Sequence, residues 1–296
     1  MPKIQTFRLD ENIVADCIYK DFPHQTTPTG LVVERRVKDD LRQFLQRFLD
    51  YSGCPQDSFL RVDAFVRENS LEVIEVNVEC QEGWGISLNL LRASSNIITF
   101  DKGVCLPCEI IAYSENYLPE FLLTQKEFVS LGHRMDIVGW QERPGVPARG
   151  EFDNKVYLAE FSRVWNSLHP GWSGEYNRGA QVPTMYSVSD TAWDKVPQDV
   201  VFKFCNKYGT FSNRAKYSVA ARSQIGKGKF VRRCYELREV IAQQRVCPLE
   251  LERGLVTQAI IMCAGQEPVT GYLQVAPPGT FVINDKSASK GPLVFL

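Results

Sequence analysis

From position 37 onward, apolar residues recur at helical spacing. Val37, Leu41, Phe44, Leu45, Phe48 and Leu49 fall on one stripe, which predicts an amphipathic helix with one side packed on a core. Further along, the period changes to two. Val62, Ala64 and Val66 alternate with Arg61, Asp63 and Phe65; after a polar turn at Glu68-Asn69-Ser70, Ile74, Val76 and Val78 alternate with Glu75, Asn77 and Glu79. The pattern predicts two strands of a hairpin, each with one apolar face in the core. With a three-residue turn and an unbulged ladder, Arg67 faces Leu71, Asp63 faces Glu75 and Arg61 faces Asn77. A short apolar strand carrying a single lysine, Val200-Val201-Phe202-Lys203-Phe204, follows later, and Glu239 to Pro248 reads as a strand leading into a turn. The segments 139–150 and 169–174, rich in Pro, Gly and polar residues, read as loops.

Length and composition change this picture little. A chain of 296 residues suggests one large domain or two to three subdomains. With 44% hydrophobic residues, 23% charged and a net charge of −1, overall composition points to no particular partner. The opening MPKIQTFRLDENIV lacks the apolar segment of a signal peptide. No apolar run approaches the roughly 18 residues of a membrane span. The nine scattered cysteines show no disulfide rhythm, so a cytoplasmic, reduced setting without membrane contact is expected. Cys105 and Cys108 form a CxxC that no second pair answers, and the only histidines are His24, His133 and His169; the pair reads as two thiols outside any zinc or redox site.

Local charge is more informative. Directly opposed residues in an antiparallel ladder have Cβ atoms about 4.5–5.5 Å apart, so Asp63 and Glu75 repel each other. A divalent cation would relieve that repulsion. Asp63, Glu75 and Asn77 offer the hard oxygen ligands that Mg²⁺ prefers, and Arg61 on the same face could reach phosphates. An ordinary solvated strand face, or pairing of Arg61 with Asp63 or Glu79, is the competing reading. The stretch Lys203 to Arg238 holds ten basic residues and one acid, Glu236, giving +9 against −10 for the rest of the chain. Such asymmetry points to a polyanion site. Lys203, in an apolar strand, calls for an anionic partner. Two elements, 206–213 and Ile225 to Phe230, read as flexible, with glycines and lysines suited to phosphate, although neither is a Walker A motif. Gln243 and Gln244 offer amides to an adenine edge or a neighbouring backbone. A nucleic-acid module would use Tyr208, Phe211, Tyr217 and Phe230, but it leaves the acidic hairpin unexplained. A magnesium nucleotide accounts for both segments.

Arg61-x-Asp63 followed by Glu75-x-Asn77 resembles the RxD…ExN signature of ATP-grasp ligases. Its position ahead of the lysine strand resembles the circularly permuted branch, the glutathionylspermidine synthetase and eukaryotic glutathione synthetase group. Phe152 to Ala159 resembles the entry to the grasp, Val182-Pro183-Thr184 the proline turn after it, and Val201-Phe202-Lys203 the first nucleotide lysine strand. Ile241 to Pro248 resembles the adenine hinge, Tyr117 to Trp140 a pre-ATP-grasp unit, and Thr270 to Asp285 the closing strands. The resemblance spans most of residues 59–296. It implies an α+β fold of circularly permuted ATP-grasp type, with a nucleotide site between two α+β subdomains and a Rossmann-like pre-ATP-grasp unit. Residues 1–95 would carry the N-terminal helix and metal hairpin, 96–150 the pre-grasp unit, and 151–296 the nucleotide-binding part with its lid. It further implies that Asp63, Glu75 and Asn77 hold Mg²⁺ and that Arg61 contacts the transferring phosphate. Lys203 and either Lys227 or Lys229 would bind nucleotide phosphates, and Gln243 and Gln244 would line the adenine hinge. The implied activity is ATP-dependent joining of a carboxylate to an amine through an acyl phosphate, with ATP and Mg²⁺ as cofactors. A noncatalytic nucleotide-binding or scaffold relative is the alternative.

Overall fold

An eight-stranded sheet dominates the computed structural model, which describes residues 4–8, 29–56, 58–67, 70–78, 87, 103–107, 134–138, 154–168, 179–205, 219–221, 228–248, 250–280, 283 and 288–296. In chain order the elements begin with β1 (Ile4–Arg8), β2 (Thr29–Val33), α1 (Arg35–Ser52), β3 (Phe59–Val66), β4 (Ser70–Val78), β5 (Gly103–Pro107) and β6 (Arg134–Val138). There follow α2 (Lys155–Leu168), β7 (Gly179–Gln181), β8 (Met185–Tyr186), β9 (Val200–Phe204), β10 (Val219–Ala221) and α3 (Gly228–Glu236). The chain closes with β11 (Val240–Gln244), β12 (Val256–Ala264), β13 (Glu267–Ala276) and β14 (Ser289–Phe295). The fold class is α+β. Among the described residues, no helix is long and apolar enough to cross a membrane.

The large sheet runs β1-β2-β14-β13-β12-β3-β4-β7. Only the β2–β14 and β4–β7 pairings within it are parallel. Residues two apart share a face of a strand. Val62, Ala64 and Val66 of β3 therefore bury one face together with Ala259, Ile261 and Cys263 of β12 and Leu273 and Val275 of β13. Helices α1 and α2 cover that face. All six residues of the α1 stripe are buried, and Phe44 meets Phe161 and Trp165 of α2 edge-on at 5.3 and 5.2 Å. The opposite face of the large sheet carries Asp63 and Gln258. No room is left in the middle of the sheet at Gly271 of β13, where an added Cβ would lie 2.6 Å from the Ile260 carbonyl oxygen and 2.7 Å from Leu293 Cδ2. Gly271→Ala should destabilise the chain by about 1–3 kcal/mol through overpacking, read as a lower urea midpoint at unchanged m value.

The hairpin register is as read from the sequence at one end and shifted at the other. Asp63 pairs with Glu75 and Arg61 with Asn77, but a bulge follows: Ala64 pairs with Val73 and Val66 with Leu71. Arg67 donates its backbone N–H to the Ser70 carbonyl at 2.9 Å, so the predicted Arg67–Leu71 pairing does not form. Ile74 is the extra residue. A bulge reverses the parity of everything beyond it. Leu71 and Val73 thus join Val76 and Val78 in the core, whereas Ile74, predicted on the core side, is turned to the other face beside Glu75.

The second sheet runs β10-β9-β11-β8, antiparallel throughout. Its outer face, with Phe202, Phe204, Val240 and Ala242, packs with Val231 and Tyr235 of α3 in a core of its own. Its inner face, with Val201, Lys203 and Gln243, looks toward the large sheet. The element read as flexible over Ile225 to Phe230 is helical from Gly228 onward, because Val231, Cys234 and Tyr235 anchor this turn of α3 in that core. β5 and β6 form a parallel pair; residues 117–133 of the expected pre-ATP-grasp unit lie outside the described residues, as do the two predicted loops and all of 206–218.

Candidate functional site

Between the two sheets lies a cavity of about 290 Å³, at the small end of ordinary ligand pockets. The large sheet lines it with Asp63, Ile74, Glu75 and Gln258; the small sheet lines it with Val201, Lys203 and Gln243. The end of β11 and the chain that follows it, from Gln244 to Pro248, form one rim. That rim is held in place because Gln244 N–H donates to the Thr184 carbonyl at 2.8 Å and Arg245 N–H to the Asp199 carbonyl at 3.3 Å.

The charged groups interlock: Asp63 and Lys203 are buried, and Arg61, Glu75 and Lys155 are partly buried. Arg61 grips Asp63 with two hydrogen bonds, Nε to Oδ1 at 2.9 Å and Nη2 to Oδ2 at 3.2 Å. Gln258 Nε2 donates to Asp63 Oδ2 at 3.0 Å. Lys155 Nζ lies 3.0 Å from Glu75 Oε1. Lys203 Nζ donates to the Ile74 carbonyl at 2.9 Å. This last contact explains the bulge's place in the site: the residue left out of the ladder exposes a carbonyl on the cavity side, and the lysine of the facing sheet takes it.

Burial and neighbours split the two carboxyls. Burial pushes Asp63 upward, and the pull of Arg61 does not fully offset it against the added repulsion of Glu75. Burial also acts to raise Glu75, but Lys155 and Lys203 outweigh it and hold the carboxyl down to about 2. Burial drives Lys203 down to about 8, partly opposed by Glu75. Glu75 is therefore firmly ionised, and Asp63 is the reluctant member of the pair. Two carboxylates and three cations, Arg61, Lys155 and Lys203, share this region. The surplus of positive charge, in a place poor in water, favours an added anion.

The predicted residues are thus partly assembled. Asp63, Glu75, Lys203, Gln243 and Gln244 line one cavity; Arg61 and Asn77 pair across the ladder beside it and are not among its lining residues. Lys227 lies outside the described residues, and Lys229 is the second residue of α3. Three contributors went unassigned in the sequence. Lys155 stands at the start of α2, whose backbone N–H donates to the Cys205 carbonyl at 2.9 Å and so ties the helix start to the end of β9. Its signal is a lysine within Phe152 to Ala159, the segment resembling the entry to the grasp, to which no role was attached. Gln258 carried the same signal as Gln243, an amide within an apolar strand. The Ile74 carbonyl had none, since a bulge leaves no mark in the alternation.

Two observations bear on what the cavity holds. Gln243 Nε2 is buried with no hydrogen-bond partner, although it lines the cavity, and a buried amide is costly to leave unpaired. A ligand with polar edges at the β11 rim would satisfy it. For a metal, Asp63 and Glu75 supply facing oxygen ligands. Among the described residues no group of three His, Cys, Asp or Glu could by itself hold an ion. Two carboxylates fit Mg²⁺ that draws its remaining ligands from water and phosphate. In comparison with known proteins, no family model and no curated protein matches the chain.

Proposed function

We propose that the chain binds Mg-ATP between its two sheets and uses it to join a carboxylate to an amine, as a ligase of circularly permuted ATP-grasp type. The observation that carries this reading is the meeting of Asp63 and Glu75 from one sheet with Lys203 and the unpaired Gln243 amide from the other, around one cavity. The base would lie against β11 and its rim, where Gln243 offers its amide and the chain from Gln244 to Pro248 offers backbone groups. Lys203 and Lys155 would take phosphate oxygens. Asp63 and Glu75 would hold Mg²⁺, which supplies neutralisation of phosphate charge.

Phosphoryl transfer depends on positioning and charge neutralisation more than on a nucleophilic side chain. Transfer of the γ-phosphoryl to a carboxylate gives an acyl phosphate; attack by an amine forms the amide and releases phosphate. The residues of this chain contribute by fixing the phosphates between Lys155 and Lys203 and by keeping the site dry, with Ile74, Val201 and Val256 as its apolar walls.

Isothermal titration with Mg²⁺ and a non-hydrolysable ATP analogue tests the reading. The wild-type chain should bind, and Glu75→Ala should weaken binding by at least about tenfold, the size of one lost charge-assisted contact. A folded wild-type protein that takes up no nucleotide would sink the proposal and turn attention to oligonucleotides. One observation favours a nucleotide-binding protein without ligase turnover: Arg61, needed at the transferring phosphate, is committed to Asp63 by two hydrogen bonds. ADP release that depends on adding a carboxylate and an amine separates the two readings.

A further inference from the structure

The two carboxylates suited to a metal are each already held by a cation of the chain. Lys155 Nζ sits 3.0 Å from Glu75 Oε1, and Arg61 grips both oxygens of Asp63 at 2.9 and 3.2 Å. Gln258 adds a third donor to Asp63. A divalent ion approaching Glu75 meets the Lys155 ammonium on the oxygen it needs, with Lys203 one residue away on the Ile74 carbonyl. Like charges at such separations repel strongly where water is scarce. Among the described residues, no third carboxylate, His or Cys joins the pair to tip the balance toward the ion.

A polyphosphate changes that balance. Its oxygens are better partners for a lysine than a shared carboxylate or a neutral carbonyl. They draw the ammonium of Lys155 off Glu75 and supply the remaining ligands that an ion of the Mg²⁺ class takes. From this geometry we infer that Lys155 is a latch on the metal site: the ion does not bind alone, and it enters only together with nucleotide phosphates, which release Glu75. The inference rests on the nucleotide reading above and goes beyond it, because a nucleotide site could equally carry a preformed metal site. Its consequence is that free divalent ions cannot occupy the site ahead of the nucleotide, so the two ligands bind with strong positive coupling.

Mn²⁺, followed by electron paramagnetic resonance, reads the site without any turnover. Wild-type protein titrated with Mn²⁺ alone should show no site-bound ion at millimolar concentrations; with the non-hydrolysable ATP analogue present it should show one. Lys155→Met and Lys155→Gln, each keeping a linear side chain at the helix start, should bind Mn²⁺ alone at least about tenfold more tightly than wild type. They should also show smaller coupling between ion and nucleotide. Mn²⁺ bound alone by wild type as tightly as by the variants overturns the latch whatever the variants' stability. Mn²⁺ refused by folded variants, while wild type still takes up ion with nucleotide, overturns it too and leaves the nucleotide reading standing. Absence of nucleotide binding in wild type removes the reading itself.

Discussion

Replacing Lys203 with methionine should weaken binding of the magnesium nucleotide roughly 10- to 100-fold while leaving the unliganded chain no less stable. The first effect follows from removing a charge-assisted contact to phosphate, worth about 1.5–3 kcal/mol. The second follows from burial. Desolvation, only partly offset by Glu75, brings the Lys203 ammonium down to about 8, so the folded chain holds a charge that water would solvate better. Relative to the ordinary lysine value, that displacement is on the order of 3 kcal/mol against the charged form. Methionine keeps the length of the side chain and removes the charge. It also strands the Ile74 carbonyl, now served by Lys203 at 2.9 Å, at a cost of about 1–3 kcal/mol. The two effects nearly balance, and function and stability part company.

The same residue makes stability depend on alkaline pH, with a definite sign. In the folded chain Lys203 releases its proton at about 8; in the unfolded chain it does so near the ordinary lysine value of 10.5. Between those values the unfolded state holds more protons, so raising the pH favours the folded state. Wild type should therefore gain stability relative to Lys203→Met as pH rises from 8 to 10.5, read from urea midpoints of the two proteins at each pH. Other alkaline titrations are common to both and cancel. Parallel curves would show that Lys203 is not held in the low-dielectric environment the structure gives it.

How much of this was legible beforehand depends on the kind of pattern each element leaves. The α1 stripe and the strand alternation come from burial on one side of a repeating backbone, and all six stripe residues are buried as read. The opposition of Asp63 and Glu75 was legible for the same reason. The bulge was not, because an extra residue changes pairing without changing composition, and Ile74 continues the apolar alternation of Val76 and Val78. The small sheet's Lys203 and Gln243 stood out as polar residues in apolar strands. Their meeting with the hairpin is a tertiary fact, set by contacts such as Lys203 to Ile74, 129 positions apart. The strands β12 and β14, nearly uniform in burial, show no alternation from which a face could be assigned.

Trp165→Ala should be among the most damaging single changes outside the site, lowering stability by about 3–5 kcal/mol. Trp165 is 3% exposed and joins the core cluster between α1, α2 and β7. Its ring meets Phe44 edge-on at 5.2 Å, and its indole N–H donates to the Ala180 carbonyl of β7 at 3.3 Å. Alanine would leave a cavity that rigid neighbouring strands cannot close. The damage should reach the site, because α2 is one rigid piece with Trp165 in its third turn and Lys155 at its start. Its first N–H is fixed to Cys205, and its first side chain to Glu75. Loosening the helix body lets both contacts drift. Nucleotide affinity measured well below the unfolding transition should then fall several-fold, in addition to the loss of stability. Val164→Ala, on the solvent side of the same helix at 41% exposure, should change stability by no more than about 0.5 kcal/mol and leave affinity intact. Equal affinity in Trp165→Ala and wild type would mean that Lys155 is positioned by its own local contacts and not by the packing of α2.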